Sequence, residues 1–493
     1  MARYIQGGLC LSQRAQTTFT RPGRHCFASL PSILPVPSFA TNLPVLFCAR
    51  SLRSTSSSAM ADYIAIKKRR TEIQESGPFA ENDFKCRGLF SGLNQQLTIG
   101  GPGPDRLRRV AELLSKAAHK RMAEEALGDG DLLQYGNTGG DPLCRLELAK
   151  FLSKGYGSPV DVQDLMLSGG ATQAMAFLLT FFFNAGDTVF VEDPTYFINL
   201  NAFKDYGIKS VAVPLEKDGI NTEALEAKFK EFAANDQQEI TATRPFRAMF
   251  YAITVFHNPT TICYSPEKCR RVVELARKYD ILVVCDDVYN VLSWMHSGNN
   301  EIGLAPPRLV SYDRKEDSDY KGNVISCGSF SKFTGPGLRL GWFETAPHLL
   351  DMMRKCAYMV SGGNFNTFTS GLMGSALEMG LIENHVANLR KTYSASARAL
   401  WKTLQAELPE GSRVAEPMGG YFIWVELPEG AKAAEILKIA KEDYKVAFLP
   451  GNLASPCGNF SNCLRISFSY YGDDDLQTAA KGIAAATRKH LGK

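Results

Sequence analysis

The stretch Gly328–Trp342, which reads GSFSKFTGPGLRLGW, is the most informative part of this chain. It follows an apolar run, Asn323–Cys327, that is typical of a buried strand. Lys332 therefore stands just past a predicted strand end, with Ser329 before it and Arg339 after it. Hydroxyl and guanidinium groups are common phosphate ligands, and a desolvated amine beside cations has a lowered pKa. The stretch predicts a reactive lysine beside a bound phosphate, or else a surface lysine in a Gly/Ser turn.

Short apolar runs rich in β-branched residues alternate with helical segments upstream of this lysine. Such alternation predicts an α/β fold with a mostly parallel sheet covered by helices on both faces, and ligands of such sheets bind beyond the carboxyl ends of the strands. After about residue 355, long helices and hairpin-like strands predict a smaller α+β domain. The predicted strands of the large sheet are Thr188–Val191, Ser210–Val213, Met249–Phe256, Ile281–Cys285 and Val324–Cys327, and the predicted helices include Asp105–Leu127, Pro266–Tyr279 and Phe368–Leu408.

Two polar motifs lie at the ends of predicted elements of the large domain. SGGATQ, at Ser168–Gln173, has glycines that allow close approach, and the helix N-terminus that follows offers free N–H groups to a phosphate. Ser and Gly are also ordinary helix caps. DPTY, at Asp193–Tyr196, follows a predicted strand, and its tyrosine could stack on an aromatic ring or simply pack in a turn.

Three further motifs place polar groups next to apolar strands. HNPTT, at His257–Thr261, offers the Asn258 amide as a hydrogen-bond donor, although Asn-Pro is also a turn signal. DDVY, at Asp286–Tyr289, places a carboxylate at a strand end, where it is either buried with a cationic partner or solvated in a turn. Arg465 lies within an apolar strand and suits a substrate carboxylate, or else faces solvent from a sheet edge.

In this order, the motifs resemble those of the class I/II aminotransferases, which are fold-type-I enzymes, over about residues 90–475. The form SFSK followed by GLRLG is similar to the kynurenine/2-aminoadipate aminotransferase subgroup. The resemblance implies pyridoxal 5'-phosphate as the cofactor and no metal ion. It also implies ping-pong transfer of an amino group from an L-amino acid to a 2-oxo acid such as 2-oxoglutarate, in a homodimer with shared active sites.

The resemblance assigns roles to individual residues. Lys332 is expected to hold the cofactor and move the α-proton, Asp286 to keep the pyridine nitrogen protonated, and Tyr196 to stack on the ring. Asp287 is the alternative to Asp286, and Thr261 stands where the family usually has glycine. The residues expected to bind the cofactor are Gly170, Ala171, Thr172, Tyr196, Asn258, Asp286, Tyr289, Ser329, Lys332, Arg339 and, from the neighbouring subunit, Tyr135; those expected to bind substrate are Gly101, Asn258 and Arg465.

Three functions other than transamination are compatible with parts of the sequence. The first is a lyase on the same scaffold that performs β-elimination or decarboxylation, because its early steps are the same. The second is a regulator that carries this fold on a DNA-binding helix-turn-helix, but residues 1–90 show no such pattern. The third is a homologue that has lost catalytic activity. The presence of Lys332, Asp286 and Arg465 argues against this function.

The first 60 residues contain six arginines, a serine cluster and no Asp, Glu or Lys, a composition typical of a mitochondrial transit peptide. A disordered tail or a mistranslated upstream region is the alternative, and Met60 could start a cytosolic form. Without these arginines the chain has 49 basic residues (55 − 6) and 51 acidic residues. Because its net charge is then close to zero, no nucleic-acid or membrane partner is expected. The predicted domains are 1–59 (transit peptide), 60–140 (arm and part of the small domain), 141–355 (large, cofactor-binding) and 356–493 (small).

Overall fold

A computed structural model describes residues 64–69, 72, 92–236, 239–295 and 304–492. The predicted transit peptide and Met60 lie outside the described residues. The chain divides into two units, Met1–Phe79 and Ala80–Lys493. In the first unit the described residues are helical.

The second unit is built around an eight-stranded sheet with the order β2-β9-β8-β7-β6-β3-β4-β5. The pairs β3–β4, β3–β6, β6–β7 and β7–β8 are parallel, whereas β2–β9, β8–β9 and β4–β5 are antiparallel. The strands in chain order are β1 (Gln95–Gln96), β2 (Leu165–Ser168), β3 (Thr188–Asp193), β4 (Lys209–Glu216), β5 (Gly219–Ile220), β6 (Ala248–Ala252), β7 (Ile281–Asp286), β8 (Val324–Ser329), β9 (Gly341–Thr345), β10 (Arg413–Val414), β11 (Phe422–Glu426), β12 (Val446–Ala447), β13 (Leu449–Pro450) and β14 (Cys463–Ser467).

The central strands bury both of their faces. Tyr251 and Val284 belong to one apolar cluster, and their chain neighbours Phe250 and Val283 belong to another on the opposite face. Helices supply the other half of each cluster, which explains why these strands read as continuous apolar runs. The mostly parallel α/β sheet predicted from the sequence is confirmed.

The helices follow their predicted bounds closely because local capping signals define their ends. Pro266–Tyr279 begins after Ser265, whose side chain accepts from the Lys268 N–H, and has proline in its first turn. It ends at Asp280, which adopts the left-handed conformation. The α-helices are Pro104–Leu127, Pro142–Tyr156, Ala171–Phe182, Phe197–Asp205, Thr222–Asn235, Pro266–Tyr279, Pro347–Arg354, Ala357–Gly362, Thr367–Glu378, Leu381–Glu407, Ala433–Asp443 and Asp473–His490.

The C-terminal part contains an antiparallel four-stranded sheet with the order β10-β11-β14-β13. The N-terminal strand β1 pairs with β12 of this same region, so the segment that leads into the helix Pro104–Leu127 is anchored there. The predicted helical region Phe368–Leu408 is two helices, which Gly380 separates with φ of 67°. No helix within the described part of the chain is long and apolar enough to cross a membrane.

One predicted strand ends early for a physical reason. The prediction extended β6 to Phe256, but the strand stops at Ala252. The next N–H, that of Ile253, donates to both carboxylate oxygens of Glu192 at 3.2 and 3.0 Å instead of to a neighbouring strand. The chain therefore leaves the sheet at this point and carries Asn258 across its edge.

Candidate active site

The carboxyl ends of β3, β7 and β8 meet at one edge of the sheet and open into a single cavity. Parallel pairing forces this, because strands that run in the same direction end on the same side. Five lining residues were not predicted, namely Asn199, Ile253, Val288, Ser331 and Pro336. The predicted site residues that line the cavity are Ala171, Thr172, Tyr196, Asn258, Asp286, Tyr289, Ser329, Lys332 and Arg339.

Lys332 lies one short helical turn beyond the end of β8. The Lys332 Nζ donates a hydrogen bond of 2.9 Å to the carbonyl of Gly100. The hydroxyl of Tyr421 donates to the backbone carbonyl of Lys332. Burial lowers the pKa of Lys332 to about 8, and the charges of Arg465 and Arg339 act in the same direction. The amine is therefore held in place and loses its proton more readily than an exposed lysine does.

Asp286 and Asp287 follow each other in the chain but point in different directions. Asp286 lines the cavity and accepts a hydrogen bond of 2.8 Å from the hydroxyl of Tyr251 through Oδ2, whereas its Oδ1 is buried without a hydrogen-bond partner. Asp287 instead accepts a bond of 2.5 Å from Ser326. Burial raises the pKa of Asp286 to about 6, although Tyr251 and the charge of Lys332 oppose the shift. The structure places Asp286 at the cavity and Asp287 away from it.

The turn before the helix Ala171–Phe182 and Arg339 form one end of the cavity. Gly170 has φ of 92°, which only glycine adopts freely, and a Cβ there would lie 3.2 Å from Arg339 Nη2. The helix N-terminus, the Thr172 hydroxyl and the Ser329 hydroxyl surround the same space. This combination of free N–H groups, hydroxyls and a guanidinium is suited to a phosphate.

Arg465 and Asn258 form a second part of the site and are joined by a hydrogen bond. Arg465 Nη1 donates to Asn258 Oδ1 at 2.7 Å, and Nη2 donates to the carbonyl of Thr98 at 2.6 Å. The side chain is 2% exposed, and its guanidinium carbon lies 4.0 Å from the centre of the Phe422 ring. Burial lowers the pKa of Arg465 to about 10. Since both acceptors are neutral, the buried cation keeps an unmet attraction for an anion, and the solvent-facing alternative is excluded.

A buried hydrogen-bond network supports the turn that carries Asn258. Glu192 is 0% exposed and accepts from the Tyr264 hydroxyl at 2.5 Å, and it lies 3.1 Å from His257 Nε2. The other ring nitrogen of His257 lies 2.8 Å from the Thr260 hydroxyl. These contacts join both ends of the turn to β3, so Asn258 is placed by groups beneath the cavity.

Thr261, where the related family usually has glycine, has φ of 66°. A β-branched residue in this region carries backbone strain of about 1–2 kcal/mol, which the surrounding bonds must offset. The Thr261 N–H donates to the carbonyl of His257 at 2.6 Å, so the turn closes despite the substitution.

Four predicted residues lie outside the cavity lining, namely Gly101, Tyr135, Gly170 and Arg465. Gly170 directly precedes the lining residue Ala171, and Arg465 bonds to the lining residue Asn258. Gly101 is one residue from Gly100, the carbonyl of which Lys332 contacts, and the Gly101 carbonyl accepts from Ser469 at 2.8 Å. Tyr135 is 79% exposed and lies outside this chain's own cavity. Sequence reasoning also missed Tyr251 and Glu192. A hydroxyl or carboxylate within an apolar strand is the signal that could have indicated each of them.

The residues present fit pyridoxal phosphate. Asp286 has a buried oxygen that lacks a donor, as a protonated pyridine nitrogen would provide. Lys332 supplies a weakly basic amine, and the Gly170 turn and Arg339 supply a phosphate site. Tyr196, whose pKa burial raises to about 12, offers a neutral aromatic ring at the wall.

Comparison with known proteins agrees with this geometry. The family described as "Aminotransferase class I and II" matches residues 107–483. The chain belongs to this family. It is therefore a pyridoxal-phosphate-dependent transaminase that moves an amino group from an amino acid to a 2-oxo acid, and no finding favours the lyase alternative.

Named relatives and a solved structure cover most of the transaminase. It is 29% identical to aromatic-amino-acid aminotransferase 1 of Thermococcus litoralis, over 80% of this chain and 88% of that protein. It is 28% identical to the 2-aminoadipate transaminase of Thermus thermophilus, over 78% and 87%. A structure of Pyrococcus horikoshii kynurenine aminotransferase matches with a TM-score of 0.68 at 28% identity, over 89% of this chain and 98% of that chain. The predicted resemblance is confirmed.

A larger cleft, of about 1300 Å³, lies elsewhere in the transaminase, between Leu215–Lys217 and the segment around Lys402–Ala415. None of the predicted site residues lines it. Size alone is therefore a poor guide here, and the convergence of perturbed titratable groups identifies the smaller cavity as the active site.

We expect acylation of Lys332 in the cofactor-free protein to rise with pH around a midpoint near 8, because burial disfavours the charged amine. Asp286→Asn should lower this midpoint, since the carboxylate raises the lysine pKa, and Arg465→Gln should raise it. Labelling with acetic anhydride over a pH series, read by mass spectrometry of the Lys332 peptide, measures these midpoints. Asp287→Asn is the matched control and should leave the midpoint unchanged, because Asp287 bonds to Ser326 instead. Equal midpoints for all four proteins would contradict the assignment.

Proposed function

We propose that this transaminase takes aromatic L-amino acids or L-2-aminoadipate as donors and 2-oxoglutarate as acceptor, with Lys332, Asp286 and Arg465 as its central residues. The observation that carries the proposal is the convergence of a buried amine, a buried carboxylate and a buried guanidinium around one cavity. The names of the relatives support these donor classes. Aromatic donors also suit the walls near Arg465, which include the rings of Phe422 and Phe197.

Each polar group has a distinct task in the proposed reaction. The bound cofactor supplies an electron-accepting ring that stabilises negative charge at the substrate α-carbon. Lys332 Nζ accepts the α-proton and returns it, which its lowered pKa favours near neutral pH. Asp286 Oδ1, which is buried without a partner, would accept a hydrogen bond from the protonated ring nitrogen. Arg465 binds the substrate α-carboxylate through its planar fork, and this fixes which bond at the α-carbon faces Lys332.

The phosphate end and the turn around Asn258 position the reactants. The Gly170–Thr172 turn, Ser329 and Arg339 would hold the phosphate, and the aromatic rings of Tyr196 and Tyr289 would be available to pack against the cofactor ring. Because Asn258 Oδ1 is occupied by Arg465, its amide nitrogen is left to donate to the cofactor. This arrangement supports the predicted contribution of Asn258 to both cofactor and substrate binding.

Arg465→Gln should raise the KM of the amino donor by about 10²-fold, because removing one partner of a buried charge pair costs about 2–5 kcal/mol. Stopped-flow absorbance of the loaded enzyme with single donors and no oxo acid, together with quantification of the oxo acid formed, measures this effect. Arg413→Gln is the matched control, since Arg413 forms an exposed pair with Glu426 on a neighbouring strand. Release of ammonia or carbon dioxide without net amino transfer would contradict the proposal.

We propose that two copies of the chain form a homodimer, with Tyr135 of each reaching the cofactor phosphate of the other. The support is an exposed apolar patch, since Leu133, Tyr135, Tyr358 and Val360 are each at least 65% exposed. The two segments adjoin, because a Cβ on Gly363 would clash with the Gly136 carbonyl. Large exposed apolar side chains in contiguous segments are typical of interaction surfaces.

Mixed dimers of Lys332→Ala and Tyr135→Phe chains test this arrangement. Tyr135→Phe alone should weaken cofactor affinity by about tenfold, the effect of losing one bond to a charged group. If Tyr135 acts across the interface, the mixed dimer keeps one site that has both Lys332 and Tyr135, and this site should bind cofactor with normal affinity. Absorbance titration of separately tagged, purified mixed dimers reads the result. Uniformly weak binding would show that Tyr135 acts within its own chain, and normal affinity of the Tyr135→Phe homodimer would show that Tyr135 does not contribute.

We propose that residues 1–59 direct the enzyme to mitochondria, on the strength of their arginine-rich and acid-free composition. The full chain fused to a fluorescent protein should enter mitochondria, whereas a chain that starts at Met60 should remain in the cytosol. Replacing the six leader arginines with glutamine should abolish import, and unchanged import would contradict the proposal.

A further inference from the structure

A second cavity, of about 520 Å³, lies between the helices Pro104–Leu127 and Leu381–Glu407. It shares no lining residue with the cavity that contains Lys332. Buried Leu113 and Leu389 contribute to its lining, and the rest of the wall is largely polar. The space is large enough for a small metabolite.

The first of these helices contributes positive charge. Arg106, Arg109 and Lys116 all line the cavity, and their spacing with Leu113 places them along one face of the helix. Cations on one stripe of a concave wall attract an anion more strongly than scattered surface charges do.

The acidic groups nearby only partly offset this charge. Among the described residues that line the cavity, Asp105 is the one with an acidic side chain. It forms an ion pair with Arg108, which does not line the cavity. Glu112, which does not line the cavity, forms a hydrogen bond of 2.8 Å with Arg109. The lining therefore keeps a net positive charge.

The second helix contributes neutral hydrogen-bonding groups. Asn384, Asn388 and Thr392 follow one another at intervals of four residues, so they form one polar stripe that faces the cations. Amide and hydroxyl groups complement arginine and lysine in binding phosphate oxygens.

Two buried polar atoms of the lining residues lack hydrogen-bond partners within the described structure. They are Arg106 Nε and His385 Nε2. His385 is 7% exposed, and its ring donates a hydrogen bond to the carbonyl of Phe333. Burial lowers the pKa of His385 to about 4, so the ring is neutral and its Nε2 is an acceptor. The cavity thus offers several donors for an anion and one acceptor for a proton on that anion.

We propose that this cavity binds the phosphate group of a small metabolite. Phosphate oxygens accept hydrogen bonds from Arg106, Arg109, Lys116 and the facing amides, and a phosphate that retains one proton donates it to His385 Nε2. Sulfate has the same shape and charge as hydrogen phosphate but carries no proton near pH 7, so it lacks this last bond.

Calorimetric titration of the cofactor-loaded enzyme with inorganic phosphate and with sulfate tests the proposal. In this form the phosphate site near Arg339 is already filled by the cofactor. Phosphate should bind, and sulfate should bind at least about tenfold more weakly, the effect of one lost bond to a charged group. A phosphate monoester such as glycerol 3-phosphate loses its second proton at about pH 6. If the ligand is a metabolite, this monoester should bind at least as well as inorganic phosphate below that pH, where it keeps the proton that His385 accepts.

Matched variants separate this cavity from other anion sites. The double variant Arg109→Gln/Lys116→Gln, at exposed positions that should tolerate substitution, should weaken phosphate binding at least about tenfold. Lys391→Gln, at an exposed position of the helix Leu381–Glu407 outside the lining, and Arg465→Gln, in the active site, should leave binding unchanged. Absence of phosphate binding, equal affinity for sulfate, or full affinity in the double variant would each overturn the proposal.

Discussion

Lys332 and Asp286 are both buried at the carboxyl edge of the sheet. Each group loses its hydration, and the attraction between their opposite charges only partly compensates for that loss. This shared burial lowers the pKa of the lysine to about 8 and raises that of the aspartate to about 6. Tyr251 steadies the carboxylate from within β6 and leaves one oxygen without a donor. A cationic ring nitrogen resolves this imbalance, which is why the site is suited to pyridoxal phosphate.

The positions of these groups depend on a second layer of buried polar contacts. Glu192 accepts a hydrogen bond from the Ile253 N–H, directly after the last residue of β6. It also contacts His257 in the turn that carries Asn258. Asn258 in turn accepts a hydrogen bond from Arg465, which belongs to the C-terminal sheet. One chain of contacts therefore runs from β3 of the large sheet, through the turn that carries Asn258, to Arg465 of the C-terminal sheet.

The large sheet could be predicted because its central strands are buried on both faces and read as continuous apolar runs. The flanking strands β2 and β9 were not predicted, since each is short and pairs antiparallel with a segment far away in the sequence. The Lys332 segment, the Asp286 strand end and the Gly170 turn could also be predicted, because each combines a strand or helix end with polar residues of suitable chemistry. Choosing Asp286 over Asp287 rested on the family resemblance, and the structure supports it through separate hydrogen bonds.

The amino-acid sequence by itself determined the alternation of strands and helices, the order of the polar motifs and hence the aminotransferase family, because these depend on local periodicity and on residue types. Only the tertiary structure decided which groups are dehydrated together. The pKa shifts of Lys332 and Asp286, the bond between Arg465 and Asn258, and the supporting role of Glu192 arise between residues distant in sequence. Burial and direction in space are properties of the packed molecule, and no local pattern specifies them.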